Sequence, residues 1–307
     1  MAGYRILSLD GGGIRGVLTV TLLERLEKAQ PGFLAATDLF AGVSTGAILA
    51  LSLAAGLSPS MARELYESKG NQVFADSLLD DILDLGRLRG AEYSNVGLQR
   101  ELISHFGDMT LGDLPKRALI VSFDLDNEAT GPDAVRTWKP KFFHNFPGPG
   151  SDAGERVVDV ALRSAAAPTY FPVYQGYIDG GVVANNPSMC ALAQALDEQT
   201  GGQQLSDIAL LSVGTGRNRK YVTAEASDWG LAQWARWLID IMIEGGTGVG
   251  DYQCARLLGP RYRRINPILP APIKLDDLAQ VAPMKQLAEQ TGLTETLSWL
   301  RDQYLAA

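Results

Sequence analysis

The chain has 307 residues, of which 46% are hydrophobic and 20% charged, with a formal net charge of −8. That length accommodates one large α/β domain or two smaller ones, with a sizeable core, and the composition excludes a disordered or collagen-like chain. With 35 acidic against 27 basic side chains, the sequence lacks the basic surplus of a general nucleic-acid binder, so no nucleic-acid partner is expected.

Met1 leads directly into Tyr4–Leu9, an apolar run too short for a secretory signal and read as a buried first strand that ends at Asp10-Gly11-Gly12-Gly13. Residues 17–29 place Leu18, Leu22 and Leu26 at helical spacing before the stop at Pro31-Gly32. A short strand follows at 39–43, then a helix at 47–55 that is apolar on every face and therefore buried. The uncharged stretch 41–62 is long enough to cross a bilayer. Its glycines, serines and Pro59 fit a strand, a turn and a buried helix better.

Residues 58–115 are more polar, helical in pattern and broken by Gly86, Gly90 and Gly107, which predicts a helical insertion over the core. Within it Asp76, Asp80, Asp81 and Asp84 read as a solvated helix face. Strands are predicted at 116–123 and 134–143, joined by a polar hairpin loop at 124–128 that lacks the glycine and distal glutamate of a calcium loop. Then come a helix at 157–167, a strand at 173–178, a helix at 188–199 and a strand at 208–213. The C-terminal portion, 228–307, reads as mostly helical and packed on the core. Strands alternating with helices predict a single α/β domain over 1–307, a three-layer α/β/α arrangement around a mainly parallel sheet.

Three motifs fall at predicted strand ends. Gly42-Val43-Ser44-Thr45-Gly46 has the G-x-S-x-G form, in which a sharp strand-to-helix turn lifts a serine nucleophile and the glycines relieve the crowding. Asp10 to Gly16 supplies successive glycine amides at the start of a helix, a nest for an anion. Gly11, Gly13 and Gly16 also satisfy a dinucleotide fingerprint, but Asp38 precedes the second strand instead of ending it, so an oxyanion hole is the better use. Arg15 is either an extra positive charge there or a solvated helix-start residue. Asp179-Gly180-Gly181 closes a third strand.

The serine needs a base. The chain holds only two histidines: His105 at a helix end and His144 in a segment without catalytic signature, so Asp179 is the plausible base acting without histidine. Cys190 and Cys254 make neither a zinc site nor a disulfide framework and suit a reducing compartment.

Together these segments resemble the patatin-like phospholipases, serine acyl hydrolases with a Ser–Asp dyad. Asp10–Gly16 is similar to the family's oxyanion-hole motif, Gly42–Gly46 to its nucleophile elbow and Asp179-Gly180-Gly181 to its catalytic aspartate motif. Ala166–Pro172, Asn185-Asn186-Pro187 and Ser212–Gly216 resemble further family segments, all in the family's order. Gly181 stands where many members have alanine.

The resemblance implies a phospholipase A or lysophospholipase type of reaction through an acyl-Ser44 intermediate. Asp179 would be the general base, with Gly11, Gly12, Gly13 and Arg15 at the oxyanion hole. It implies no metal and no cofactor, a phospholipid or lysophospholipid substrate, and a cytoplasmic protein touching a membrane transiently. An acyltransferase or thioesterase using the same dyad is the alternative, as is a phospholipase effector switched by a small ligand such as a cyclic nucleotide.

Two features outside the motifs complete the reading. Trp229, Trp234 and Trp237 cluster with Leu238, Ile241 and Met242, which reads as core packing in preference to a membrane rim. The basic runs Arg217, Arg219 and Lys220, and Arg261, Arg263 and Arg264, read as solvated surface.

Overall fold

The computed structural model describes residues 3–67, 93–223 and 228–306. The central part of the predicted insertion, including Asp76, Asp80, Asp81 and Asp84, lies outside the described residues.

From the N-terminus the elements are β1 (Tyr4–Leu9), α1 (Gly16–Ala29), α2 (Phe33–Ala36), β2 (Leu39–Val43), α3 (Thr45–Ala54), α4 (Pro59–Glu67) and α5 (Asn95–Phe106). The middle of the chain supplies β3 (Arg117–Asp124), β4 (Lys139–His144), α6 (Val157–Ala165), β5 (Tyr177–Asp179), α7 (Gly181–Ala184) and α8 (Ser188–Leu196). Then follow β6 (Ile208–Val213), α9 (Leu231–Leu258), β7 (Tyr262–Ile265), α10 (Val281–Gln290) and α11 (Thr294–Trp299).

The strands form one sheet in the order β4-β3-β2-β1-β6-β7, with β5 also paired to β3. The pairings β3–β2, β2–β1, β1–β6 and β6–β7 are parallel, while β4 and β5 run antiparallel to β3. A mainly parallel sheet must be covered on both faces, and alternation along its strands shows that it is. Leu7, Leu9, Ile120 and Leu211 pack on one side with α1, α3 and α6. Ile6, Leu119, Val121 and Leu210 pack on the other with Ala191, Leu192, Cys254 and Leu258 from α8 and α9. The three-layer α/β/α fold is thus present, and every residue of α3 is buried.

The expected strand over 173–178 begins only at Tyr177, because the chain first makes a tight turn. Tyr174 and Tyr177 exchange both backbone hydrogen bonds (3.1 and 3.0 Å), and Gln175 and Gly176 take positive φ between them. The C-terminal portion is not helical throughout: Tyr262–Ile265 extends the sheet edge beside β6. Its sequence, Tyr-Arg-Arg-Ile, carries no apolar alternation, since the edge strand is held by ladder hydrogen bonds and by Arg264, which pairs inward with Asp10.

One topological detail builds the site. Strand β2 occupies one edge of β3 as far as Val43, opposite Val121, while β4 covers the other edge. The edge that β2 vacates is taken over at once by β5, with Asp179 opposite Ser122. The end of β2 and the end of β5 therefore meet one register step apart.

Candidate active site

Ser44 stands where β2 turns into α3, and its backbone is forced into φ 55°, ψ −126°. This region is strained for a residue with a side chain, and such strain persists only where the surroundings over-determine it. They do so here. A Cβ on Gly42 would run into the carbonyl of Gly46, and a Cβ on Gly46 would run into that of Leu9, so the elbow closes only with glycine at both positions. The amide of Ser44 donates to Ser164 Oγ at 2.9 Å, and the Ser164 hydroxyl donates to the Val121 carbonyl at 2.6 Å.

Asp179 is buried and accepts hydrogen bonds from the Ser44 hydroxyl and from the amide of Gly181, the latter at 2.7 Å. Burial pushes its pKa up to about 6, against the lowering effect of those two bonds. Its own amide is fixed by the Ala166 carbonyl at 3.0 Å. A carboxylate in contact with a hydroxyl, with its pKa moved toward neutrality, can take a proton near pH 7 and return it.

The glycine loop lies directly against the serine, for a Cβ on Gly11 would sit 3.2 Å from Ser44 Cβ. Its amides are not equivalent. That of Gly11 donates to the Asn185 carbonyl at 3.1 Å and that of Ile14 to Leu275 at 2.7 Å. Those of Gly12 and Gly13 donate to no acceptor among the described residues. Gly13, at φ 56°, turns the loop.

Arg15 is buried instead of solvated: Nε donates to the Gly12 carbonyl at 3.3 Å and Nη1 to the Gly216 carbonyl at 3.2 Å. Burial lowers its pKa, while Glu244, Asp240 and Asp10 oppose that shift. It staples the loop to the segment after β6. Thr215 completes the staple, with Oγ1 donating to the Gly11 carbonyl at 2.8 Å.

The histidines take no part in this arrangement. His144 pairs with Leu119, three residues before Ser122 on β3, which places it about 10 Å along the strand from Asp179. Its ring is buried against Phe146, and burial lowers its pKa. His105 contacts the carbonyl of Glu101 on its own helix at 2.8 Å.

Sequence reasoning missed Ser164, Asn185, Thr215 and Arg264 as parts of the site. Arg264 was expected on a solvated surface, yet its guanidinium is buried on Asp10 and Ser212. Arg261 likewise binds the carbonyls of Leu205 and Ile208, and Arg263 pairs with Glu295.

The model of the family described as patatin-like phospholipase matches residues 7–192. The chain belongs to the patatin-like phospholipase family. Protein teg of Priestia megaterium is 30% identical over 98% of this chain and 98% of its own length. A cGAMP-activated phospholipase of Pseudomonas aeruginosa is 33% identical over 86% of this chain and 78% of that protein. The mouse 85/88 kDa calcium-independent phospholipase A2 is 28% identical over 92% of this chain, though over only 38% of its own length.

The tryptophan cluster departs in part from the expected core packing: its three tryptophans are half-buried. Trp229 lies edge-on to Trp234 at 5.3 Å and stacks with Trp237 at 6.4 Å. Leu238, Ile241 and Met242, next along α9, are 41%, 46% and 60% exposed. No helix among the described residues is long and apolar enough to cross a membrane.

Proposed function

We propose that this patatin-like protein is a lipid acyl hydrolase of the phospholipase A or lysophospholipase type. The observation that carries the reading is the Ser44 hydroxyl hydrogen-bonded to buried Asp179, beside a glycine loop with two unengaged amides. Ser44 Oγ attacks the ester carbonyl while Asp179 takes its proton. The amides of Gly12 and Gly13 receive the developing oxyanion, a contribution of about 3 kcal/mol per donor in comparable sites. The tetrahedral species collapses, the ester C–O bond breaks, and the proton returns from Asp179 to the leaving alcohol. Water then attacks acyl-Ser44 with Asp179 again as base, which releases the fatty acid and restores the serine. In this reading Arg15 orders the loop through the Gly12 and Gly216 carbonyls and adds positive charge beside the oxyanion.

The names of the phospholipase relatives support a phospholipid substrate. The exposed Leu238, Ile241 and Met242 on α9 support a peripheral, transient meeting with a lipid surface, because α9 packs on α7, the short helix that follows Asp179. A second reading adds regulation by a small ligand, on the ground that relatives are named as cGAMP-activated.

The test is a panel of diacyl- and lysophospholipids incubated with the wild type, Ser44→Ala and Asp179→Asn, with products identified by mass spectrometry and with and without cyclic dinucleotide. Fatty acid release by the wild type and loss in both variants is expected. Undiminished release by Ser44→Ala would sink the reading, and release independent of nucleotide would remove the regulated form.

A further inference from the structure

The C-terminal turn of α6 touches both halves of the proposed dyad without contributing a reacting atom. The parallel register pairs Val43 of β2 with Val121 of β3, so the next rung of the ladder would run from the Ser44 amide to the Val121 carbonyl. That rung cannot form directly, because the chain turns away at Ser44 with φ 55°. The hydroxyl of Ser164 fills the gap, accepting from the Ser44 amide at 2.9 Å and donating to the Val121 carbonyl at 2.6 Å. Ser164 is fully buried, so water is not available to replace it.

The same turn fixes the other partner. One residue upstream, the Arg163 carbonyl accepts from Ser122 Oγ at 3.0 Å, and that hydroxyl also reaches the Ile178 carbonyl at 3.0 Å. Two residues downstream of Ser164, the Ala166 carbonyl accepts from the amide of Asp179 at 3.0 Å. Gly180 comes so close to the Val121 carbonyl that no Cβ would fit there. Three consecutive turns of chain, at Ser44, Ser164–Ala166 and Asp179–Gly180, thus converge on one peptide group of β3.

We infer that Ser164 is a positioning residue for the reaction, its hydroxyl replacing the missing β2–β3 rung and so setting the strained Ser44 elbow against Asp179. The inference rests on Ser44 being the nucleophile. Both hydrogen bonds of the Ser164 hydroxyl among the described residues go to backbone groups, none to Asp179. Its removal therefore acts on the angle at which Ser44 is presented, a defect of turnover and not of substrate binding.

The experiment compares the full-length wild type, Ser164→Ala, Ser44→Ala and Val158→Ala, the last a cavity on the buried face of the same helix that leaves Ser44 untouched. Each is assayed for kcat and KM on a soluble short-chain ester, for its rate of labelling by a serine-directed fluorophosphonate, and for its thermal midpoint. In Ser164→Ala, kcat and labelling rate are expected to fall about 10- to 100-fold with KM nearly constant. Val158→Ala is expected to keep kcat despite an equal or larger loss of thermal midpoint. If Ser164→Ala fails to fold, Ser164→Cys is read in the same way, since a thiol keeps the volume but hydrogen-bonds weakly. Unchanged kcat at position 164, or a matching loss of kcat in Val158→Ala, overturns the inference. Hydrolysis surviving in Ser44→Ala instead overturns the dyad reading on which it rests.

Discussion

Arg264 grips Asp10 beneath the glycine loop, with Nη2 at 2.5 Å from Oδ2 and Nη1 at 3.2 Å from Oδ1. Asp10 directly follows β1 as the loop's first residue, and Arg264, from edge strand β7, adds a bond to Ser212 Oγ at 2.6 Å. A buried ion pair adds little net stability over an apolar pair, but a single surviving partner is costly. Replacing Arg264 by Ala is expected to destabilise the protein by about 3–5 kcal/mol, read by urea or thermal unfolding. The double variant Asp10→Asn with Arg264→Met should recover part of that loss. A single variant as stable as the wild type would show that the pair does not organise the loop.

The raised pKa of Asp179 ties activity and stability to pH in opposite senses. Its folded value of about 6 lies above the ordinary aspartate value, so the folded state holds this proton more tightly than the unfolded chain does. Its contribution to stability is present below about pH 4 and is lost as pH rises through about 6. In the proposed mechanism activity requires the carboxylate and should rise over the upper part of that range. Asp179→Asn is therefore expected to be inactive yet more stable than the wild type at pH 8, by up to about 3 kcal/mol at 1.36 kcal/mol per pKa unit. The difference should shrink toward pH 4. Equal denaturation midpoints at pH 8 would contradict the buried, charged Asp179.

His144 provides the control for a histidine triad. It is buried beside Phe146, and its backbone amide donates to Asp152 at 3.1 Å, with the ring well away from Asp179. His144→Ala is expected to lower the thermal midpoint while leaving kcat of the remaining folded enzyme within about two-fold of the wild type. Loss of turnover in a folded His144→Ala would restore a histidine to the mechanism.

The glycines and serine of the elbow and the Asp179 turn were legible because each is a local device. A strained turn demands specific residues within a few positions, and that pattern survives in the linear sequence. The alternating strands and helices carried the sheet for the same reason. The supports were not legible, since Ser164 braces Ser44 across 120 positions and Arg264 meets Asp10 across 254. Nothing local marks either residue. The Tyr-Arg-Arg-Ile edge strand was hidden because Arg264, which looks solvated in sequence, turns inward to the Asp10 carboxylate, while Arg263 pairs at the surface with Glu295. The sequence offers the amides of Gly11 to Gly13 to an oxyanion, whereas Asn185 already uses that of Gly11.

The proposed lipid contact of α9 predicts different behaviour on interfacial and on monomeric substrate. Ile241→Glu combined with Met242→Glu places two charges on the exposed part of α9. Hydrolysis of phospholipid vesicles is expected to fall at least about 10-fold, as charges are poorly tolerated at a lipid boundary. Hydrolysis of a soluble short-chain ester should be unchanged. A parallel loss on both substrates would assign these residues to the fold instead of to lipid contact.

The central claim is that acyl transfer passes through Ser44 with Asp179 as its base. The most direct measurement is mass spectrometry of protein quenched during turnover of a slowly deacylated ester. A single acyl group is expected on the peptide carrying Ser44, absent in Ser44→Ala and strongly reduced in Asp179→Asn. An acyl group on another residue, or continued hydrolysis by Ser44→Ala, would contradict it.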